Sequence, residues 1–171
     1  MYTPSEEQAA FHDSDARFRC VAGGIQSGKS FSVAKELHRY CTVRGGFGWL
    51  VGPDYEQVKA EFGYMMQDCR DLQIMDENSL SFPSRGSAKF KLIPEMGGFE
   101  WQTKSSADPT SLASFAPDVV VMCEAAQQQH NAFMKCLERV ARKGAPLILS
   151  GTFESSLGWY AEVYEEWKNH A

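Results

Sequence analysis

Gly23-Gly24-Ile25-Gln26-Ser27-Gly28-Lys29-Ser30 decides the fold, because it satisfies G-x-x-x-x-G-K-[ST] and stands where a strand pattern passes into a helix pattern. Upstream, Arg17-Phe18-Arg19-Cys20-Val21-Ala22 alternates and then turns apolar, which predicts a strand. Downstream, Phe31, Ala34, Leu37 and Cys41 recur at three- and four-residue spacing, which predicts a helix from about Lys29 with one buried stripe, ended by Gly45-Gly46. Small residues in such a loop let successive backbone N–H groups curl around phosphate oxygens at the positive end of the helix. Lys29 adds a mobile charge, and Ser30 a hydroxyl for Mg²⁺. All eight residues are therefore candidates for phosphate binding, Lys29 is also a catalytic candidate, and Ser30 is the metal candidate.

Working outward, the strand and helix pattern repeats. Gly48-Trp49-Leu50-Val51 predicts a second strand, Gly52-Pro53-Asp54 a turn, and Tyr55, Val58, Phe62, Met65 and Cys69 mark a second helix. Leu80-Ser81-Phe82 and residues 88–93 flank Pro83-Ser84-Arg85-Gly86-Ser87 as a hairpin would, and residues 99–103 alternate like a further strand, which suggests a small antiparallel insert. Val119-Val120-Val121-Met122 and Leu147-Ile148-Leu149 are apolar without alternation, the pattern of strands covered on both faces of a parallel sheet. Between them Phe133, Cys136, Leu137 and Val140 predict a helix, and Trp159, Val163 and Trp167 a last one. Thr3-Pro4-Ser5-Glu6 reads as a helix start with Thr3 as cap and proline in the first position. The fold class is α/β: a P-loop NTPase with a largely parallel central sheet, helices on both faces and the antiparallel insert.

The 171 residues, 43% hydrophobic and 23% charged, predict one globular domain able to bury roughly two thirds of the surface its unfolded chain exposes. A formal charge of −5 means that the molecule as a whole is repelled by a phosphate backbone, so any contact with nucleic acid must be local. Cys20, Cys41, Cys69, Cys123 and Cys136 make an odd set with no CxxC pair, which argues for reduced thiols rather than a disulfide framework or zinc knuckle. No apolar run approaches the ~18 residues needed to span a bilayer, and no membrane partner is expected.

The strand at residues 119–122 delivers Cys123-Glu124-Ala125-Ala126 to the sheet edge where the phosphate loop opens. An acid at the first of these positions ordinarily holds the metal, and a glutamate at the second orients or deprotonates the attacking water. Glu124 is therefore a catalytic candidate. Cys123 is a poor ligand for a hard cation and reads better as a small buried residue, which leaves Glu124 one job or both.

These elements together resemble the ATPase domain of a large terminase, the motor that packages viral DNA. The resemblance runs through Gln8, the phosphate loop, Gly52-Pro53-Asp54-Tyr55, Ser105-Ser106-Ala107-Asp108-Pro109 with Ser111-Leu112, Glu124-Ala125-Ala126, Leu149-Ser150-Gly151-Thr152 and Gly158-Trp159-Tyr160. It implies that Lys29 contacts the β- and γ-phosphates, Ser30 the Mg²⁺, Glu124 the attacking water and Gln8 the adenine of ATP. Thr152 would sense the γ-phosphate and couple its loss to movement. It further implies a homo-oligomeric ring docked on the procapsid portal in the host cytoplasm, with double-stranded DNA, a portal protein and a small terminase subunit as partners.

Three departures stand out: Ile25-Gln26 and Ala113 occupy positions where many family members carry arginine, and Cys123 stands for aspartate. Arg139 and Arg142 are candidates for a cation supplied to a neighbouring subunit, and Arg85, Lys89, Lys91 and Lys104 for a DNA track, although an ordinary solvated face is the better reading of each. The ribonuclease-H-like nuclease of the family has no counterpart in residues 1–171, so a single ATPase domain without nuclease activity is expected. Two other readings fit the residues. One is a superfamily 2 helicase core, which needs a second similar domain; the other is an assembly subunit that binds ATP without turning it over.

Overall fold

The computed structural model describes residues 2–24, 26–108, 110–153 and 158–168. In chain order the elements are α1 (Glu6–Asp13), β1 (Phe18–Ala22), α2 (Lys29–Glu36), β2 (Phe47–Gly52), α3 (Lys59–Asp71), β3 (Met75–Ser81) and β4 (Lys89–Leu92). They continue with β5 (Glu100–Ser105), β6 (Val119–Met122), α4 (His130–Ala141), β7 (Leu147–Gly151) and α5 (Trp159–Lys168), and a short 3-10 turn, Leu37–Tyr40, prolongs α2. One seven-stranded sheet has the order β1-β7-β6-β2-β5-β4-β3. The strands β1, β7, β6, β2 and β5 run parallel to one another, while β4 is antiparallel to both β5 and β3. The expected α/β architecture is present, and the antiparallel insert is smaller than the sequence suggested. Residues 100–105 join the main sheet beside β2, in parallel, and only the β3–β4 hairpin extends its edge.

Alternation along the buried strands divides the core in two. Leu50, Val119, Val121 and Ile148 face α2 and α3, packing with Val33, Leu37, Phe62 and Met65. Trp49, Val51, Val120, Met122, Leu147 and Leu149 face the opposite way, onto Phe133, Cys136, Trp159 and Tyr160 of α4 and α5. A strand buried on both faces gains from every side chain, which is why these runs read as continuous apolar stretches.

The first helix starts later than expected. Ser5 is the N-cap, and its hydroxyl accepts from Gln8 N–H while Gln8 Oε1 accepts from Ser5 N–H at 3.0 Å, a reciprocal capping box two residues beyond the Thr3 start. Helix α1 is then tied down by a buried pair behind it. Arg19 Nη1 lies 2.7 Å from Glu36 Oε1, both side chains being 4% exposed, and the same guanidinium donates to the carbonyls of Phe11 and Ser14.

Candidate functional site

The phosphate loop joins β1 to α2. Gly28 caps α2 with φ +78, a left-handed conformation that favours glycine, and Gln26 also adopts positive φ. The loop begins level with the end of β7, where Gly23 N–H donates to the Gly151 carbonyl at 3.4 Å. Lys29, 8% exposed, folds back so that Nζ donates to the Gly24 carbonyl at 2.7 Å. A lysine held there by one neutral carbonyl can exchange it for anionic oxygens, which form stronger charge-assisted bonds.

Strand order brings the other candidates alongside. Because β7 lies between β1 and β6, with Ala22 opposite Gly151 and Met122 opposite Leu149, Thr152 and Glu124 emerge beside the loop at the carboxyl edge of the sheet. Gln26, Ser27, Gly28, Lys29, Ser30, Glu124 and Thr152 line one polar cleft of 460 Å³. A second cleft, of 580 Å³ and mostly apolar, opens on the other side of the loop between α1, β1 and α5. Gln8, Gly23, Ser27 and Lys29 face it, so the loop is a shared wall, and Gln8 Nε2 would stand 3.0 Å from a Cβ placed on Gly28. Gly24 belongs to the site through its bond to Lys29, and Ile25 lies outside the described residues.

One residue that the sequence reading passed over lies directly behind the wall of the polar cleft, bonded to Ser30. Glu61, on α3 and 2% exposed, accepts the Ser30 hydroxyl at 2.6 Å. Burial raises its carboxyl above the usual range, the bond from Ser30 opposes that rise, and the charges of Glu124 and Lys29 act in opposite directions. Its signal lay in the spacing: Val58, Glu61, Phe62, Met65 and Cys69 share one helical stripe, and a carboxylate on a buried stripe needs a reason. Cys123 is 0% exposed, and burial pushes its thiol well above the ordinary value, with Glu61 and Glu124 adding to the rise. It stays a neutral thiol packed in the core, as expected. The donors that converge here, a serine hydroxyl and carboxylates, are hard oxygens that suit Mg²⁺ rather than a softer ion.

The turn that carries Glu124 is held from behind. Glu124 has φ +52, unusual outside glycine. Gln128, 1% exposed, donates from Nε2 to the carbonyls of Val51 at 2.9 Å and Cys123 at 2.8 Å, and its backbone carbonyl accepts the Trp159 indole N–H at 2.8 Å. The ends of β2 and β6 and the start of α5 are thus joined through one residue.

No protein-family profile matches the sequence. The terminase large subunit of Thermus phage G20c is 26% identical over 180 aligned positions, covering 95% of this chain. The ATPase domain of the Thermus phage P74-26 large terminase superposes with a TM-score of 0.77 at 22% identity, covering 94% of this chain and 69% of that one. The fold is that of a large terminase ATPase domain. The large terminase of bacteriophage D6E in complex with ATP-gamma-S shares it, with a TM-score of 0.64 at 9% identity over 86% of this chain and 37% of that one. The chain spans 36% of the length of the G20c relative.

Within this terminase fold the arginine candidates fare unequally. Arg139 is engaged inside the chain, donating from Nε to the Leu112 carbonyl at 3.0 Å, whereas Arg142 stands exposed just beyond α4. Of the basic candidates for a DNA track, Lys91 on β4 lies 3.5 Å from Glu100 and Lys104 on β5 sits over the Trp49 ring, so both are engaged within the chain.

Proposed function

We propose that the chain is the ATP-hydrolysing motor part of a large terminase, using ATP and Mg²⁺ to drive double-stranded viral DNA through a portal into a procapsid. The observation that carries this reading is the meeting of the phosphate loop, Thr152 and Glu124 on three neighbouring strands, with an apolar cleft behind the loop. The base enters the apolar cleft beside Gln8, and the phosphates lie in the polar cleft over the positive end of α2. Lys29 leaves the Gly24 carbonyl for the β- and γ-phosphate oxygens. Ser30 holds Mg²⁺, which neutralises phosphate charge when bound. Glu124 orients the attacking water and accepts its proton, and Thr152 registers the γ-phosphate.

The wider assignment, a homo-oligomeric ring with portal protein and small terminase subunit as partners, working at the procapsid in the host cytoplasm, is proposed from the resemblance to large terminases alone. No DNA cleavage is assigned to residues 1–171. Binding of ATP-gamma-S to wild type and Lys29→Ala tests the nucleotide site. Loss of charge-assisted hydrogen bonds worth about 1.5–3 kcal/mol weakens binding about 10- to 100-fold. Equal affinity would overturn the site. The buried neutral Cys123 favours a second reading, ATP binding without turnover, which predicts that wild type and Glu124→Ala are equally inert.

A further inference from the structure

We propose that Glu61 is the metal-holding carboxylate of this site, supplied from helix α3 because the strand-end position occupied by Cys123 offers none. The inference rests on the nucleotide reading above and deepens it. In Mg-nucleotide sites the serine after the loop lysine binds the ion together with a nearby acid. Here that serine has its hydroxyl on Glu61 Oε1, 2.6 Å away. Neighbouring ligands of Mg²⁺, each 2.0–2.1 Å from the ion in octahedral geometry, stand about 2.9 Å apart. A shift of a few tenths of an ångström thus turns the hydrogen-bonded pair into two adjacent ligands. Cys123 beside them is a neutral, soft donor, and no third carboxylate, histidine or thiol completes a protein cage among the described residues. That suits Mg²⁺, which is bound by one or two protein oxygens with phosphate and water filling the remaining positions.

The alternative is that Glu61 merely anchors α3 to α2 through Ser30. Glutamine separates the two, because its carbonyl oxygen accepts the same bond without the charge. A buried carboxylate repels incoming phosphates unless a cation stands between them, so the two roles differ in sign when metal is removed.

The test is equilibrium binding of a fluorescent ADP to wild type and Glu61→Gln, in EDTA and in Mg²⁺, with thermal melts confirming that both are folded. In EDTA, Glu61→Gln binds as tightly as wild type or more tightly. The tightening produced by Mg²⁺ falls about tenfold or more, and Mn²⁺ titrated onto the ADP complex and followed by electron paramagnetic resonance binds correspondingly more weakly. Placing a carboxylate on the strand, in Glu61→Gln with Cys123→Asp, restores the metal effect. An undiminished Mg²⁺ effect in Glu61→Gln, or an equal loss of affinity with and without metal, overturns the role of Glu61 and leaves the nucleotide site standing. Failure of wild type to bind ADP in either medium overturns that site and this inference with it.

Discussion

Replacing Gln128 by alanine removes the amide that brackets the Glu124 turn, and its cost can be worked through atom by atom. The Val51 carbonyl keeps the Cys123 N–H, 2.8 Å away, so its loss is about 1 kcal/mol. The Cys123 carbonyl loses its bond to the amide in a buried setting, about 1–3 kcal/mol. Gln128 Oε1 is itself buried without a hydrogen bond, so deleting it returns about 1 kcal/mol, roughly offset by the small cavity left behind. The net is about 2–4 kcal/mol, or a fall in Tm of about 4–16 °C for a chain of this size. Circular-dichroism melts of wild type, Gln128→Ala and Gln128→Met provide the measurement, the methionine variant filling the space without the hydrogen bonds. Methionine is expected to recover only the cavity part. A shift under about 1 °C in Gln128→Ala, or a Gln128→Met that melts with wild type, refutes the bracket.

Glu36→Ala leaves Arg19 buried without its carboxylate and frees His12, whose Nδ1 lies 2.8 Å from Glu36 Oε2, so stability falls by about 3–5 kcal/mol and limited proteolysis opens α1 first. Arg19→Met with Glu36→Leu recovers much of that loss in denaturant unfolding, because the charge is removed with its counter-charge. Burial pushes the Cys69 and Cys136 thiols up to about 12 from an ordinary value near 9.0. The folded chain therefore keeps protons that the unfolded chain sheds: stability is intact below pH 9 and declines toward pH 12, by up to about 1.4 kcal/mol per thiol per pH unit. Melts from pH 8 to 11 check this, and the decline is shallower in Cys69→Ala with Cys136→Ala.

The phosphate loop was legible because backbone wrapping, a lysine and a hydroxyl are all needed at fixed spacing, so few sequences carry the pattern by accident. The doubly covered strands were legible through their unbroken apolar runs. Strand β3 was foreshortened to Leu80-Ser81-Phe82 because it is an edge strand, paired on one side only and irregular between Asp76 and Ser81, whose Asp76, Glu77 and Asn78 follow no core pattern. The order β1-β7-β6 was not legible, since strands far apart in sequence meet through packing rather than local preference. Gln128 escaped for the same reason, being an ordinary polar residue in sequence that only tertiary burial brings to the site, whereas the one sign of Glu61 was its place on the apolar stripe of α3.

Single-turnover hydrolysis of ATP by wild type and Glu124→Gln, with ATP affinity measured on the same samples at concentrations that permit self-association, tests the central claim most directly. Glutamine keeps the shape and loses the proton acceptor, so affinity is retained within about twofold while the hydrolysis rate falls about 100-fold or more. Equal rates from the two proteins, with nucleotide bound to both, would contradict the account.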